Sequence, residues 1–379
     1  MEFNYKWEVI DQTDPKPSDR ADNAFIQKDE LLYFFGGNIG GYTNETWKFN
    51  LITREWANIT KAIRPVSRIQ HSFVRVGNYG YMFGGTTGSL RNDTWKFNLF
   101  TEEWSQISTA IQPSSRRAHK VIAYNNSIYL FGGTDGGNSS QLWKFDTLAE
   151  TWENITPVNN PIPGRYHHCM FLYNQKIYVT FGLTTSNFIF NDLWEYDIAT
   201  EEWREIAIST KPLGRWGAGH VRYGYYHYFF GGSTDGGVNN RFNDLWRLDI
   251  RNETWANITL SQNISTMAST LLHEFKNRIY LFFGYLGPST YNGNIYSLLL
   301  PNPSFVKANS KILRLEKGNL TEVTEALTSQ TYEDKGFNLY DLTKVDEVHR
   351  PYEQQSSNVF KANIDKNTWL SKIKELKIQ

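Results

Sequence analysis

The chain has 379 residues, and its 39 Lys plus Arg are balanced by 39 Asp plus Glu, so it has no overall field to gather nucleic acid or an anionic membrane surface. Its single cysteine, Cys169, excludes an internal disulfide and a cysteine-rich zinc site, and reads as a small buried hydrophobe in a reducing compartment. The longest apolar runs, such as residues 279–283, are far too short to cross a bilayer.

Residues 1–7 carry no basic n-region, apolar h-region or Arg-rich leader character, which points to a cytoplasmic address. Residues 5–10 read as a strand containing Trp7. From there the chain repeats itself. Tyr33-Phe34-Phe35-Gly36-Gly37 returns as Tyr81-Met82-Phe83-Gly84-Gly85, Tyr129-Leu130-Phe131-Gly132-Gly133 and Tyr228-Phe229-Phe230-Gly231-Gly232, with worn copies at residues 178–183 and 280–285. Successive first glycines, taking Gly182 and Gly284 for the worn copies, are 48, 48, 50, 49 and 53 residues apart. A period near 50 with strand-like content is a blade spacing.

After each glycine motif come a turn-rich gap, a strand with an aromatic (Trp47, Trp95, Trp143, Trp194, Trp246, Tyr296) and a strand with a second Trp (Trp56, Trp104, Trp152, Trp203, Trp255). A Pro/Ser/Gly turn, an Arg and another apolar strand lead into the next copy, making four strands per unit. Ten Asn-x-Ser/Thr sequons, among them Asn58-Ile59-Thr60 and Asn154-Ile155-Thr156, recur with the repeat. Six glycine strands are followed by only five outer Trp strands, so residues 5–10 are expected to supply the sixth and zip the ring shut. A rival closure uses residues 311–316 and 319–323, whose pattern echoes residues 142–146.

These motifs resemble those of the kelch-repeat family, over about residues 5–300. The resemblance implies an all-β fold: a six-bladed kelch-type β-propeller over residues 1–300, its last blade closed by the N-terminal strand, then a C-terminal extension over residues 301–379. In that extension the rhythm stops, and Trp369, Ile373, Leu376 and Ile378 fall in an approximately helical array. Two readings stand for it: a short amphipathic helix that docks on the ring or a partner, and a solvated tail.

In the family, the His of Arg68-Ile69-Gln70-His71, Arg116-Arg117-Ala118-His119 and Arg165-Tyr166-His167-His168 positions the innermost strand, so no metal and no cofactor are expected. Copper-oxidase and iron-specifier signatures known from related propellers lack their ligand sets here, and Thr134-Asp135-Gly136-Gly137 and Thr234-Asp235-Gly236-Gly237 are turn chemistry. Arg20, Arg68, Arg116, Arg165 and Arg215, with Arg117 adjacent, open the innermost strands and are expected to ring one mouth of the central channel. The resemblance implies that such arginines pair with carboxylates of a bound peptide; the alternative is that they bond to main-chain carbonyls between blades. Phe188, Phe190, Phe242 and Tyr291, in the connections after the glycine motifs, form a second candidate surface, and Trp369 adds a third contact.

The expected function is a non-catalytic scaffold or adaptor for other proteins, in the cytoplasm, with a fixed place in a cytoskeletal or ciliary assembly as a narrower form. The alternative is a propeller enzyme acting on a small polar or sugar-like substrate at the axial mouth.

Overall fold

The second strand of each repeat shows how the sequence dictates the architecture. Leu32, Tyr33, Phe34 and Phe35 are all buried, and so are Leu130, Phe131, Tyr228, Phe229 and Phe230 in later copies. A strand with no polar alternation must be covered on both faces, so each sheet needs a neighbour on either side. The structure, a computed structural model, describes residues 5–235 and 240–301 in full, and beyond them the backbone of four strands, Ile312–Glu316, Asn319–Val323, Tyr352–Ser356 and Val359–Ala362.

Residues 1–305 form one compact unit and residues 306–379 another. The first is a six-bladed β-propeller. Blade 1 is built from Ala24–Lys28, Leu31–Phe35, Thr46–Asn50 and Trp56–Asn58, paired antiparallel in that order. Blade 2 begins at Ser72–Val76, blade 3 at Lys120–Tyr124, blade 4 at Cys169–Tyr173 and blade 5 at Gly219–Tyr223, each with four strands in chain order. Blade 6 takes Leu271–Phe275, Arg278–Phe282 and Ile295–Leu299 from the end of the repeat. Its fourth strand is Tyr5–Ile10, antiparallel to Ile295–Leu299 with Trp7 opposite Leu298. The N-terminal closure is therefore the one adopted. Leu260–Gln262 pairs in parallel on the other side of Tyr5–Ile10, so the closing strand is held on both edges. Ile312–Glu316 and Asn319–Val323 pair with each other as a hairpin, as do Tyr352–Ser356 and Val359–Ala362. Among the described residues there is no membrane-length apolar helix.

Six apolar cores lie between neighbouring sheets. Phe35, Phe73 and Trp104 share one across blades 1 and 2, and Tyr228, Leu272 and Trp7 another across blades 5 and 6. Ile10, Phe34, Trp56 and Phe282 close the ring between blades 6 and 1. Most of the rings meet edge-on or tilted, as Phe34 and Phe282 do at 5.2 Å and 53°, while Phe171 and Tyr178 stack at 5.1 Å and 11°. The sequons also have a structural cause. Thr60 donates its N–H to Asn58 Oδ1 (3.0 Å) and its hydroxyl to the Thr46 carbonyl (3.4 Å), and Thr156 repeats this with Asn154 and Leu142, tying off the outer strand.

Around the axis the inner strands begin from a hydrogen-bonded belt. Asp22, Gln70, Ala118, His167, Gly217 and Ser269, one per blade, all have φ between 53° and 64°. Gln70 N–H donates to the Asp22 carbonyl (2.9 Å), and the pattern continues through Ala118, His167, Gly217 and Ser269 at 2.6–3.0 Å. Four of the five residues that donate in this way carry side chains in a conformation usually left to glycine, and the belt bonds hold them there.

Candidate partner-binding face and axial mouth

Because consecutive strands of a blade are antiparallel, the turns after the first and third strands emerge at one end of every sheet. The loops after the second and fourth strands emerge at the other. The opening arginines and the loop aromatics sit on this second face.

The five arginines do not present free guanidinium groups to the mouth, which corrects the expectation from the sequence. All are at most 1% exposed. Each Nε donates to the carbonyl two residues back, and each NH1 to a carbonyl sixteen residues on: Gly36, Gly84, Gly132, Phe181 or Gly231. The rest of the fork meets a side chain on the third strand's approach. Arg68 holds Asp93 through two bonds of 2.7 Å, Arg165 holds Asp192 at 2.5 and 2.7 Å, and Arg215 holds Asp244 at 2.6 and 3.0 Å. Arg20 makes one bond to Glu45 (2.9 Å). The same acceptor then takes a Trp indole N–H: Trp47 on Glu45, Trp95 on Asp93, Trp194 on Asp192 and Trp246 on Asp244, at 2.7–3.0 Å. The Arg and the first Trp of the repeat are thus two ends of one clamp. Burial pulls the Asp93 carboxyl upward, but the bonds from Arg68 and Trp95 outweigh it and hold its pKa below the usual value.

Blade 3 departs from this pattern. Arg116 meets only neutral side chains, Gln141 Oε1 (2.6 Å), Ser139 Oγ (2.9 Å) and Ser114 Oγ (2.7 Å). Ser114 passes the contact on to the exposed Asp135 at 2.8 Å. Burial, opposed by Asp135, pushes the Arg116 pKa down to about 10. Arg117 is exposed.

The loop aromatics divide in the same way. Phe190 is buried beneath the Arg165 guanidinium (3.8 Å to the ring centre), and Phe242 is half-buried beneath that of Arg215 (4.1 Å). Tyr291 is half-buried against Tyr285 at 5.4 Å. Phe188 alone of the four is open to solvent, 61% exposed, with its ring edge-on to Phe190 at 4.9 Å. Trp369 lies outside the described residues.

The family model described as the KLHDC2/KLHL20/DRC7 Kelch-repeats domain matches residues 3–182 and 70–284. The chain belongs to the kelch-repeat family. A further similarity is to the leucine-zipper-like transcriptional regulator 1 homolog of Drosophila melanogaster, 29% identical over 119 residues. The match covers 28% of this chain and 12% of that protein, so the chain spans only a small part of its relative's length.

Within this kelch propeller the mouth itself is a site that the repeat motifs do not single out. The residues before the belt bridge to those after the glycine motif, Tyr166 with Leu183, Trp216 with Ser233 and Ala268 with Tyr285 in blades 4 to 6, and there Leu183, Trp216 and Ala268 pack together with Tyr166 and Ile189 against them. In blades 1 to 3 the same bridges pair Ala21 with Asn38, Ile69 with Thr86 and Arg117 with Thr134. The signal lay in comparing the residue after each arginine across copies. The channel below is a cavity of about 50 Å³ lined by Asp22, Gln70, His119, Lys120, His167 and Thr270 among others. That is room for roughly three to five water molecules.

Proposed function

We propose that this kelch propeller is a non-catalytic scaffold that holds other proteins on the face bearing the second- and fourth-strand loops, as a fixed subunit of a larger cytoplasmic assembly of cytoskeletal or ciliary type. The observation that carries the reading is the apolar surface this face exposes over adjacent blades. Phe188 stands on a ring already fixed by Arg165, and Leu213 (66% exposed), Ile111 (65%) and the fully exposed Val158 lie in neighbouring loops of the same face. Fixed aromatic and aliphatic side chains in solvent are what interface anchors are made of. Because the five clamp arginines are saturated, Arg117 is the opening-strand cation available for a partner's carboxylate.

The test is crosslinking mass spectrometry on the tagged full-length protein isolated from its own cells, beside a Phe188→Asp, Leu213→Asp variant. These exposed changes are expected to alter stability by about 0.5 kcal/mol or less while removing links to a constant set of partners. An unchanged partner set overturns this face as the docking site. An absence of stable partners favours instead an enzyme of small polar or sugar-like substrates at the axial mouth.

A further inference from the structure

The residue that follows the histidine position is small in four blades: Ala24, Ser72, Cys169 and Gly219. In blade 6 it is Leu271, and in blade 3 it is Lys120, the first residue of the innermost strand. These positions surround the axis, and Lys120, Leu271, Asn23, Ser269 and Thr270 all line the axial cavity. A long cationic side chain thus stands where most neighbours leave space.

Among the described residues Lys120 has no ion-pair partner within 4 Å. The one carboxylate lining the cavity, Asp22, is engaged elsewhere: its Oδ2 accepts from Gln70 Nε2 (2.9 Å) and from the Tyr285 hydroxyl (3.1 Å). Around the same space several buried polar atoms lack a protein partner, namely both amide atoms of Asn23, Ser269 Oγ and Thr270 Oγ1. Asn23 and Thr270 are 6% and 5% exposed. A Cβ at Gly219 would collide with Thr270 Oγ1, so the glycine there keeps the hydroxyl in place.

Lys120 is half-buried, and its ammonium meets the confined water of the channel rather than open solvent, where an ion of opposite charge is attracted more strongly than in bulk water. Burial lowers the pKa of Lys120, while Cys169 and Asp22 nearby act to raise it. The cavity offers what an anion needs, a cation with hydroxyl and amide donors, in a volume that admits little more than an ion and its waters.

We infer that the axial channel is a binding site for a small monovalent anion of chloride size, held by the Lys120 ammonium with N–H and O–H donors from Asn23, Ser269 and Thr270. The bound ion neutralises the one unpaired cation of the channel and ties blade 3 to blades 1 and 6. The inference is independent of the protein-binding reading, because it concerns the axis and not the loop face.

The experiment is thermal unfolding of the full chain at matched ionic strength in sodium gluconate, chloride and bromide, with Lys120→Met as the variant that keeps the length and removes the charge. A saturable rise in Tm of about 2 °C or more in chloride and bromide over gluconate is expected, and Lys120→Met is expected to lose it. Crystals soaked in bromide provide a second reading that needs no variant, an anomalous peak on the axis beside Lys120 Nζ. Equal Tm in all three salts, an equal response in Lys120→Met, or an axis holding only water overturns the inference.

Discussion

Two kinds of junction make up five of the six between blades; the sixth, between blades 5 and 6, keeps a glycine, Gly231, but has Thr270 in place of histidine. Between blades 1 and 2, 2 and 3, and 3 and 4, a glycine faces a histidine of the next blade. A Cβ on Gly36, Gly84 or Gly132 would come within 2.9–3.1 Å of Cε1 of His71, His119 or His168, and within 2.5–2.8 Å of the neighbouring arginine's carbonyl. Between blades 4 and 5, and between blades 6 and 1, the glycine's place is taken by Phe181 and Phe283, at φ 63° and 57°. The next blade then carries Ala218 or Asn23 where blades 2 to 4 carry histidine. Phe181 belongs to the same core as Ala218, and Phe283 packs at 5.5 Å from Phe34. The worn copies are thus not decayed repeats. Each motif is half of an interface whose other half lies one repeat later, and volume removed from one side is returned on the other.

Acid should separate the two kinds of junction most strongly. Burial, with Arg68 adding to it, lowers the His71 pKa to about 3, and burial sends His119 and His168 well below their ordinary value. His220 and His273 are likewise held at about 3 and His167 at about 4, with His227 well below its ordinary value. Each folded-state pKa is depressed, so the unfolded chain binds more protons. The stability these histidines allow is complete above about pH 6.5 and is lost as pH falls toward the folded values. His71, His220 and His273, with values near 3, each cost about 2 kcal/mol between pH 7 and pH 5, and the others act in the same direction. Urea unfolding is expected to show a steep fall in free energy across that interval; a flat profile breaks the argument that these rings are buried and neutral.

The clamps offer the next contrast. Arg68→Met leaves the half-buried Asp93 without its guanidinium and is expected to cost about 3 kcal/mol. Arg116→Met strands only neutral acceptors, and about 1–3 kcal/mol is expected. Equal losses measured by denaturant midpoint at unchanged slope would mean that the carboxylate adds nothing to the clamp.

The ring, its blade count and its closure were legible because glycine spacing, a Trp on each of the last two strands and the missing sixth outer strand are all local in sequence. The clamps were only half legible. Arg68 and Trp95 were both visible as repeating types, but their shared acceptor Asp93 sits in a turn-rich gap, and acceptors 25, 27 or 29 residues from their arginines hide the pattern. The apolar half of the mouth was missed because Trp216 and Tyr166 matter by facing residues of other blades. The same holds for Lys120: its character comes from the small residues across the axis, not from its own neighbours in the chain. The hairpin Tyr352–Ser356 with Val359–Ala362 had no repeat to announce it.

The sharpest use of the comparison is to convert one junction into the other. Gly132→Phe alone places a ring against His168, where even a Cβ would stand 2.9 Å from Cε1, and is expected to cost about 1–3 kcal/mol by overpacking. His168→Ala alone leaves a cavity beside Phe131, whose ring centre now lies 5.4 Å from the imidazole's. The double variant reproduces the pairing of Phe181 with Ala218, with the backbone already at the φ of 71° that the motif requires. It is expected to recover more than half of the summed losses, a coupling of about 0.5–3 kcal/mol between contacting residues. It also removes one buried histidine, so its acid unfolding should be shallower by that one group. If the two losses simply add, glycine and histidine are chosen independently and the interface is not the unit of the repeat. If they cancel, a kelch motif is to be sought in pairs of positions about 35 residues apart, and the worn copies become as informative as the regular ones.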